Sequence, residues 1–147
     1  MGILIEIDHR ESAAGIKEIL RIKDGICVEE KRLPIGDYLV NKHITVERKT
    51  TKDFVLSIID GRLFSQAARL RRHTEIPFMV IEGTNLFQTG YDVDPQSIKG
   101  AIVSISVSWQ IPLIFSKSPC GTAEILIMAG AQDVKYYEEI QKRMGRR

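Results

Sequence analysis

The segment from Asp37 to Lys49 constrains the fold of this chain more than any other. It reads as two short strands, Asp37 to Val40 and Ile44 to Lys49, joined by a turn at Asn41-Lys42-His43. Strand side chains alternate between faces, so Tyr38, Val40, Ile44 and Val46 share one side and make a core face. The other side collects Asp37, Thr45, Glu47 and Lys49, with Leu39 as its apolar exception. With a three-residue loop Val40 opposes Ile44, and the same register sets Asp37 opposite Glu47. Opposed residues share a face with side-chain carbons about 5 Å apart. Two carboxylates at that spacing repel one another, and a cation between them turns the repulsion into binding. Lys49 points the same way as Glu47, and Arg48 points to the apolar side.

The rest of the chain alternates strand and helix around this hairpin, which predicts an α/β fold. Ile3 to Asp8 reads as a strand with apolar residues on both faces, hence a central one. Ser12 stands where it caps a helix carrying Ile16, Ile19 and Leu20. Asp24-Gly25 turns the chain into a second strand, Ile26 to Leu33, which Pro34-Ile35-Gly36 ends. After the hairpin, Thr50 or Thr51 caps a helix whose core side is Phe54, Ile58 and Ile59. Asp60-Gly61 interrupts it, and Arg62 to Arg72 continues as a basic helix. Phe78 to Ile81 is a strand ending at Glu82-Gly83. Residues 97–109 fit a strand alternation and a helical stripe equally; their length and Pro95 favour helix. Leu113 to Phe115 is a short strand, Thr122 to Ala129 a helix, and Val134 to Met144 a final polar, basic helix.

A chain of 147 residues with 44% apolar content is long enough for one domain with a real core. No apolar run approaches the roughly 20 residues that span a bilayer, and the N-terminus lacks the basic start and apolar stretch of a secretory signal. The expectation is an intracellular protein with no membrane partner. Cys27 and Cys120 stand alone, which argues against zinc and for two buried, reduced thiols. The net charge of +2 is small, but its distribution is uneven. Arg62, Arg69, Arg71, Arg72 and His73 fall between Gly61 and Thr74 with no acid among them, and the tail from Lys142 to Arg147 adds four cations. Such local patches matter for phosphate binding more than the total does.

The carboxylate and lysine set suits phosphodiester hydrolysis. Carboxylates hold a hard cation such as Mg²⁺, which keeps several of its waters. The cation activates water and stabilises charge on the phosphate, and an ammonium such as that of Lys49 orients the water or neutralises the transition state. Asp8, ending the first strand, is a further candidate ligand. Glu11 is weaker, since it also reads as a cap of the following helix. On its own, Glu-x-Lys on a strand is more often a solvated charge pair.

The Asp-Glu-x-Lys arrangement resembles the PD-(D/E)XK nuclease superfamily. The fuller string is more specific: Gly36-Asp37 followed by Glu47-Arg48-Lys49 and Asp53 resembles the GD…ERKxxxD motif of the XPF/Hef structure-specific endonucleases. Asp8-His9-Arg10-Glu11 is similar to that family's Asp-x-Arg-Glu element. The run from Ile58 to Gln66 looks like the block that follows the catalytic helix in archaeal members. The likeness extends from about Ile3 to about Ala129.

The resemblance implies a restriction-endonuclease-like fold, a central mixed sheet flanked by helices. It implies Mg²⁺- or Mn²⁺-dependent cleavage of branched DNA near the junctions of 3′ flaps, splayed arms or forks. It assigns metal binding to Asp8, Asp37 and Glu47, assistance to the water to Lys49, and completion of the motif to Arg48 and Asp53. Arg10, Arg62 and Gln66 would hold DNA or support the site; Arg69, in the basic helix, is a candidate for phosphate contact. Competing readings stay open: Arg48 as partner of an internal acid, Asp53 as a helix cap, and Arg69, Arg71 and Arg72 as a solvated face. The family also implies a homodimer through the nuclease domain, for which the apolar helices around residues 98–109 and 122–128 are candidates. We expect residues 1–131 to be an ERCC4-type nuclease domain and 132–147 a basic helix or tail. The helix-hairpin-helix and helicase domains of family members have no counterpart in this sequence, the mark of an excised domain or of a short form. Two other functions compete: a non-catalytic dimerisation and DNA-binding module, and another nuclease of the superfamily such as a junction resolvase.

Overall fold

The computed structural model describes residues 2–145, apart from the side chains of residues 12–14. Six strands form one mixed sheet in the order β2-β1-β3-β4-β5-β6, comprising β1 (Ile3–Asp8), β2 (Ile26–Lys31), β3 (Tyr38–Val40), β4 (Ile44–Thr50), β5 (Ile76–Glu82) and β6 (Leu113–Ser116). β3 runs antiparallel to both its neighbours, and every other pairing is parallel. This is the α/β architecture expected, with helices on both faces.

The hairpin register is the expected one: Val40 pairs with Ile44, Leu39 with Thr45 and Tyr38 with Val46. Asn41 and Lys42 both take positive φ (51° and 69°), the twist that a tight hairpin turn needs. On the first face of the sheet, Ile5, Ile7, Tyr38, Val40, Val46 and Val80 are buried beneath helices α1 (Ile16–Arg21) and α5 (Pro119–Met144). On the second face, Met79 and Ile81 pack under α2 (Thr51–Ile59), α3 (Leu63–His73) and α4 (Pro95–Val103) with Phe54, Leu63, Ala67 and Ile98. Each fully buried aliphatic or aromatic side chain of this kind contributes about 1.5–3 kcal/mol. The second helical layer covers only β4, β5 and β6. Over β2 the same face is bare, and Cys27, Glu29 and Lys31 are exposed there.

Several local expectations are corrected. The first helix does not start at Ser12. A 3-10 turn, His9–Ala14, is capped by Asp8, and α1 begins at Ile16 after Gly15 turns left-handed; the side chain of Ser12 lies outside the described residues. β2 stops at Lys31 because the Leu33 amide donates to Asp8 instead of to a neighbouring strand. Ile59 is exposed, and Val55 with Ser57 takes the core side of α2 beside Phe54. Residues 97–109 are helical, as length and Pro95 suggested, but the stretch is α4 followed by a wider π turn, Ser104–Ser108. The two C-terminal helices are one continuous helix, α5, which crosses position 131 without a break. Arg146 and Arg147 of the basic tail lie outside the described residues. Cys27 and Cys120 are exposed rather than buried: Cys27 falls on the bare half of the sheet, and Cys120 sits in the first turn of α5. No helix is long and apolar enough to cross a membrane among the described residues.

Candidate active site

The site forms where β3 meets β4. Gly36 precedes it with φ of 75°, and a Cβ there would lie 2.5 Å from the Thr45 methyl and 3.3 Å from the Val46 carbonyl, so only glycine lets the chain enter β3 this close to β4. Asp37 then steps just outside the ladder. Its amide donates to the Val46 carbonyl (2.9 Å), and its carboxylate accepts from the Arg48 amide (2.8 Å). Asp37 thereby brackets Glu47 from both sides, which realises the opposition read from the register.

Asp37 and Glu47 line one pocket together with Arg10, Pro34, Ile35, Gly36, Gln66 and Arg69. Burial, and then the charge of Glu47, push the Asp37 carboxyl up to about 8. Burial raises Glu47 as well, against the opposing pull of Lys49. Lys49 stands on the same face at 8% exposure. Burial lowers its pKa from the ordinary lysine value, while Glu47 and Asp53 act to keep it charged.

Other candidates fall into three groups. Arg10 and Arg69 line the pocket; Arg69 also reaches the Pro34 carbonyl at 3.5 Å. Gln66 lines it too, and its buried Oε1 has no hydrogen-bond partner. Asp8 lies next to Asp37, whose carbonyl accepts from the Asp8 amide (2.9 Å), yet the Asp8 carboxylate is already engaged. It accepts from the Leu33 amide (2.8 Å), the Arg10 amide (3.0 Å) and Arg10 Nε (2.6 Å), and Arg10 first of all holds its carboxyl down at about 2. Arg62 pairs with Asp60 at 3.2 Å, half-exposed at the entry to α3, and is not among the residues lining the pocket. Asp53 is exposed in the first turn of α2; its amide donates to the Thr50 hydroxyl (3.1 Å), so Thr50, not Thr51, caps the helix.

Arg48 crosses to the first face, and there it meets internal acids. Its Nε lies 3.0 Å from Glu82 and its Nη1 3.7 Å from Glu11. Glu82 in turn accepts from the Thr122 hydroxyl (2.6 Å), and Glu11 accepts from the Tyr38 hydroxyl (2.8 Å) rather than capping a helix. The sequence reading missed Glu82, Thr122 and the Tyr38 hydroxyl as supports of the site. The one signal for them was Glu82 itself, a charge closing an otherwise apolar strand.

The donor set suits a hard divalent cation. Two carboxylates share a pocket in which burial disfavours the charge of both and the charge of Glu47 further disfavours that of Asp37, and a buried amide oxygen lacks a partner. Among the described residues, no three His, Cys, Asp or Glu side chains form a ready-made metal cluster. A cation here would be held by Asp37 and Glu47, with water completing its shell.

The profile of the ERCC4 domain matches residues 7–128. A Methanocaldococcus jannaschii protein named "Putative ATP-dependent RNA helicase" is 40% identical over 120 residues, covering 81% of this chain and 15% of that protein. The 3′-flap repair endonuclease Xpf of Saccharolobus solfataricus is 32% identical over 126 residues, 86% of this chain and 54% of that one. Among solved structures, XPF from Aeropyrum pernix in complex with DNA superposes with a TM-score of 0.83 at 36% identity, covering 90% of this chain and 65% of the other. The chain thus spans between a seventh and two thirds of the length of these proteins. By the match over residues 7–128 and the shared fold, it belongs to the ERCC4 domain family, alongside the archaeal XPF proteins.

Proposed function

We propose that this chain is the nuclease unit of a Mg²⁺- or Mn²⁺-dependent, structure-specific DNA endonuclease that hydrolyses phosphodiester bonds near the junctions of branched DNA. The observation that carries the reading is the Asp37–Glu47 carboxylate pair, bracketed by the hairpin backbone, with Lys49 on the same face. The relatives named as a 3′-flap endonuclease and as XPF bound to DNA support the substrate class.

When bound, the cation would supply Lewis acidity, activating water and neutralising charge on the phosphate. The residues of the chain do the rest. Asp37 and Glu47 hold the charge at one point, with the Arg48 amide fixing Asp37. Lys49, two residues along the same face, orients the attacking water and stabilises the extra negative charge of the phosphorane. Arg10 and Arg69, on the pocket wall, contact the phosphates flanking the scissile one. Gln66, also on the pocket wall, has an Oε1 left free to serve as a further acceptor. Asp8 serves the site through Arg10 and the Leu33 amide, and joins a metal only if Arg10 releases it. Arg48 and Asp53 are positioning residues, the first across the sheet and the second beside Lys49.

A homodimer follows as the second part of the proposal. Val103, Val107, Phe115 and Met128 are exposed apolar residues on α4, the π turn, β6 and α5, and β6 is an edge strand. A C₂ interface built around the β6 edge, with α4 on one side of it and α5 on the other, would cover them. Sedimentation at increasing concentration should show a dimer that Val107→Glu with Phe115→Glu dissociates.

The test of activity is cleavage of a labelled 3′ flap with Mg²⁺ or Mn²⁺, beside fork and four-way-junction substrates. Wild type should cut the flap, with Glu47→Ala and Lys49→Ala slower by about 10²–10⁴. Equal cutting by all three proteins would overturn the assignment, and a preference for the four-way junction would point to a resolvase.

A further inference from the structure

The bare half of the second sheet face adjoins the carboxylate pocket. Pro34 and Ile35 line that pocket and also line a second recess of about 290 Å³, so the two share a wall. Leu33, Leu39 and Thr45 contribute to this recess, and Lys42 stands in its wall. Close by is a group that the proposed hydrolysis does not use. Glu6 is fully buried, and its two oxygens make no well-formed hydrogen bond. Instead Lys31 Nζ lies 2.8 Å from one of them and Lys42 Nζ 3.2 Å from the other. Both lysine side chains are substantially exposed, at 47% and 63%.

Stability alone does not explain this arrangement, because burying a carboxylate costs desolvation that two largely exposed ammoniums repay only in part. The shared carboxylate pins two ammoniums side by side at the surface, with donors left over for an anion; Glu29, exposed on the same face, is a further acid acting on Lys31. Lys31 is in register with Asp8. Counting across β2, β1, β3 and β4, it stands three strand spacings from Glu47, about 14 Å.

We propose that the recess and the Lys31–Lys42 pair form a subsite for the unpaired DNA strand that leaves the carboxylate pocket. A nucleobase lies against Pro34 and Leu39, and the adjoining phosphate is held by the two ammoniums. The subsite rests on the endonuclease reading given above. Two acids stand by the subsite, Glu75 in the lining of the recess and Glu29 on the face of Lys31, so the phosphate is held by the donors that Lys31 and Lys42 have left over.

The experiment is fluorescence anisotropy in EDTA, with two DNAs of identical duplex, one bearing a long unpaired arm and one without it, titrated at several salt concentrations. The protein is wild type or the triple variant Glu6→Gln, Lys31→Gln, Lys42→Gln, which leaves no uncompensated buried charge. Wild type should bind the armed DNA more tightly. The triple variant should lose that preference, and its salt slope on the armed DNA should be shallower by about 0.7. Its binding of the blunt duplex should not change. If the triple variant does not fold, Lys42→Gln alone, at an exposed side chain, should still reduce the preference at least about twofold. An unchanged preference and slope in a folded variant overturns the subsite, including the case in which the bare face serves a protein partner. A wild type that cuts the flap while the variant is unchanged removes the subsite alone. A wild type that neither binds nor cuts removes the endonuclease reading, and the subsite with it.

Discussion

Glu82→Gln tests the support of the site from the far side of the sheet. Arg48 and Glu82 are 14% and 7% exposed, so their pair is largely out of water. Removing one partner of a buried pair costs about 3–5 kcal/mol, since the other charge is left uncompensated. Two features reduce that figure here. Glutamine still offers an acceptor to Thr122 and to Arg48, and Glu11 lies 3.7 Å from the guanidinium. The expected loss is therefore about 2–3 kcal/mol. In a domain of this size that lowers Tm by roughly 5–10 °C. Urea unfolding should show a lower midpoint at constant m, and Arg48→Met combined with Glu82→Gln should be less destabilised than the sum of the singles by at least about 1.5 kcal/mol. Because the Arg48 amide holds Asp37, kcat should fall in Glu82→Gln while KM for DNA stays close to wild type. A Glu82→Gln protein within about 0.5 kcal/mol of wild type, or singles that simply add, would refute the cross-sheet support.

Asp37 has a raised carboxyl, so ionising it weighs against the fold: its contribution is intact below about pH 4 and declines as pH rises towards about 8. Asp37→Asn should flatten that part of a Tm-versus-pH profile, and Mg²⁺ should raise Tm at pH 8 in wild type but not in Asp37→Asn. Asp8 behaves with the opposite sign. Its carboxyl is depressed from 3.8 to about 2, so its contribution is present above pH 4 and lost as pH falls through that window; Asp8→Asn should be less stable than wild type at pH 6, with the gap closing near pH 2 in acid unfolding followed by circular dichroism. Gly36→Ala should destabilise by about 1–3 kcal/mol and cut flap cleavage, because positive φ and the Thr45 methyl leave no place for a Cβ; full activity with unchanged stability would contradict the tight entry into β3.

What the sequence disclosed about the site was governed by period. Alternation along Ile44 to Lys49 was enough to set Glu47 and Lys49 on one face and Arg48 on the other, and the turn length fixed the register that brings Asp37 to Glu47. The partners of Arg48 were not legible, because Glu11 and Glu82 lie 37 and 34 positions away and no local pattern links them to it. Asp8 read as a ligand because a carboxylate at a strand end usually faces a site; its capture by Arg10 and the Leu33 amide depends on a loop that crosses from β2. Ile59 read as core from helical spacing, but it is the last residue of α2, and Ser57 and Ile58 of the same turn take the core side instead. Cys27 read as buried by residue type alone, and only the uneven coverage of the two sheet faces exposes it.

The straddling of the sheet by Arg48 sets the smallest part of this protein that could be transplanted. A hairpin moved alone to another scaffold would carry Asp37, Glu47 and Lys49 in register, but it would deliver a guanidinium into whatever apolar layer lay beneath. The portable unit is the hairpin with β5 and the first turn of α5, so that Glu82 and Thr122 arrive with it. A designer who kept only the residues facing the substrate would discard the acid that meets the guanidinium beneath them.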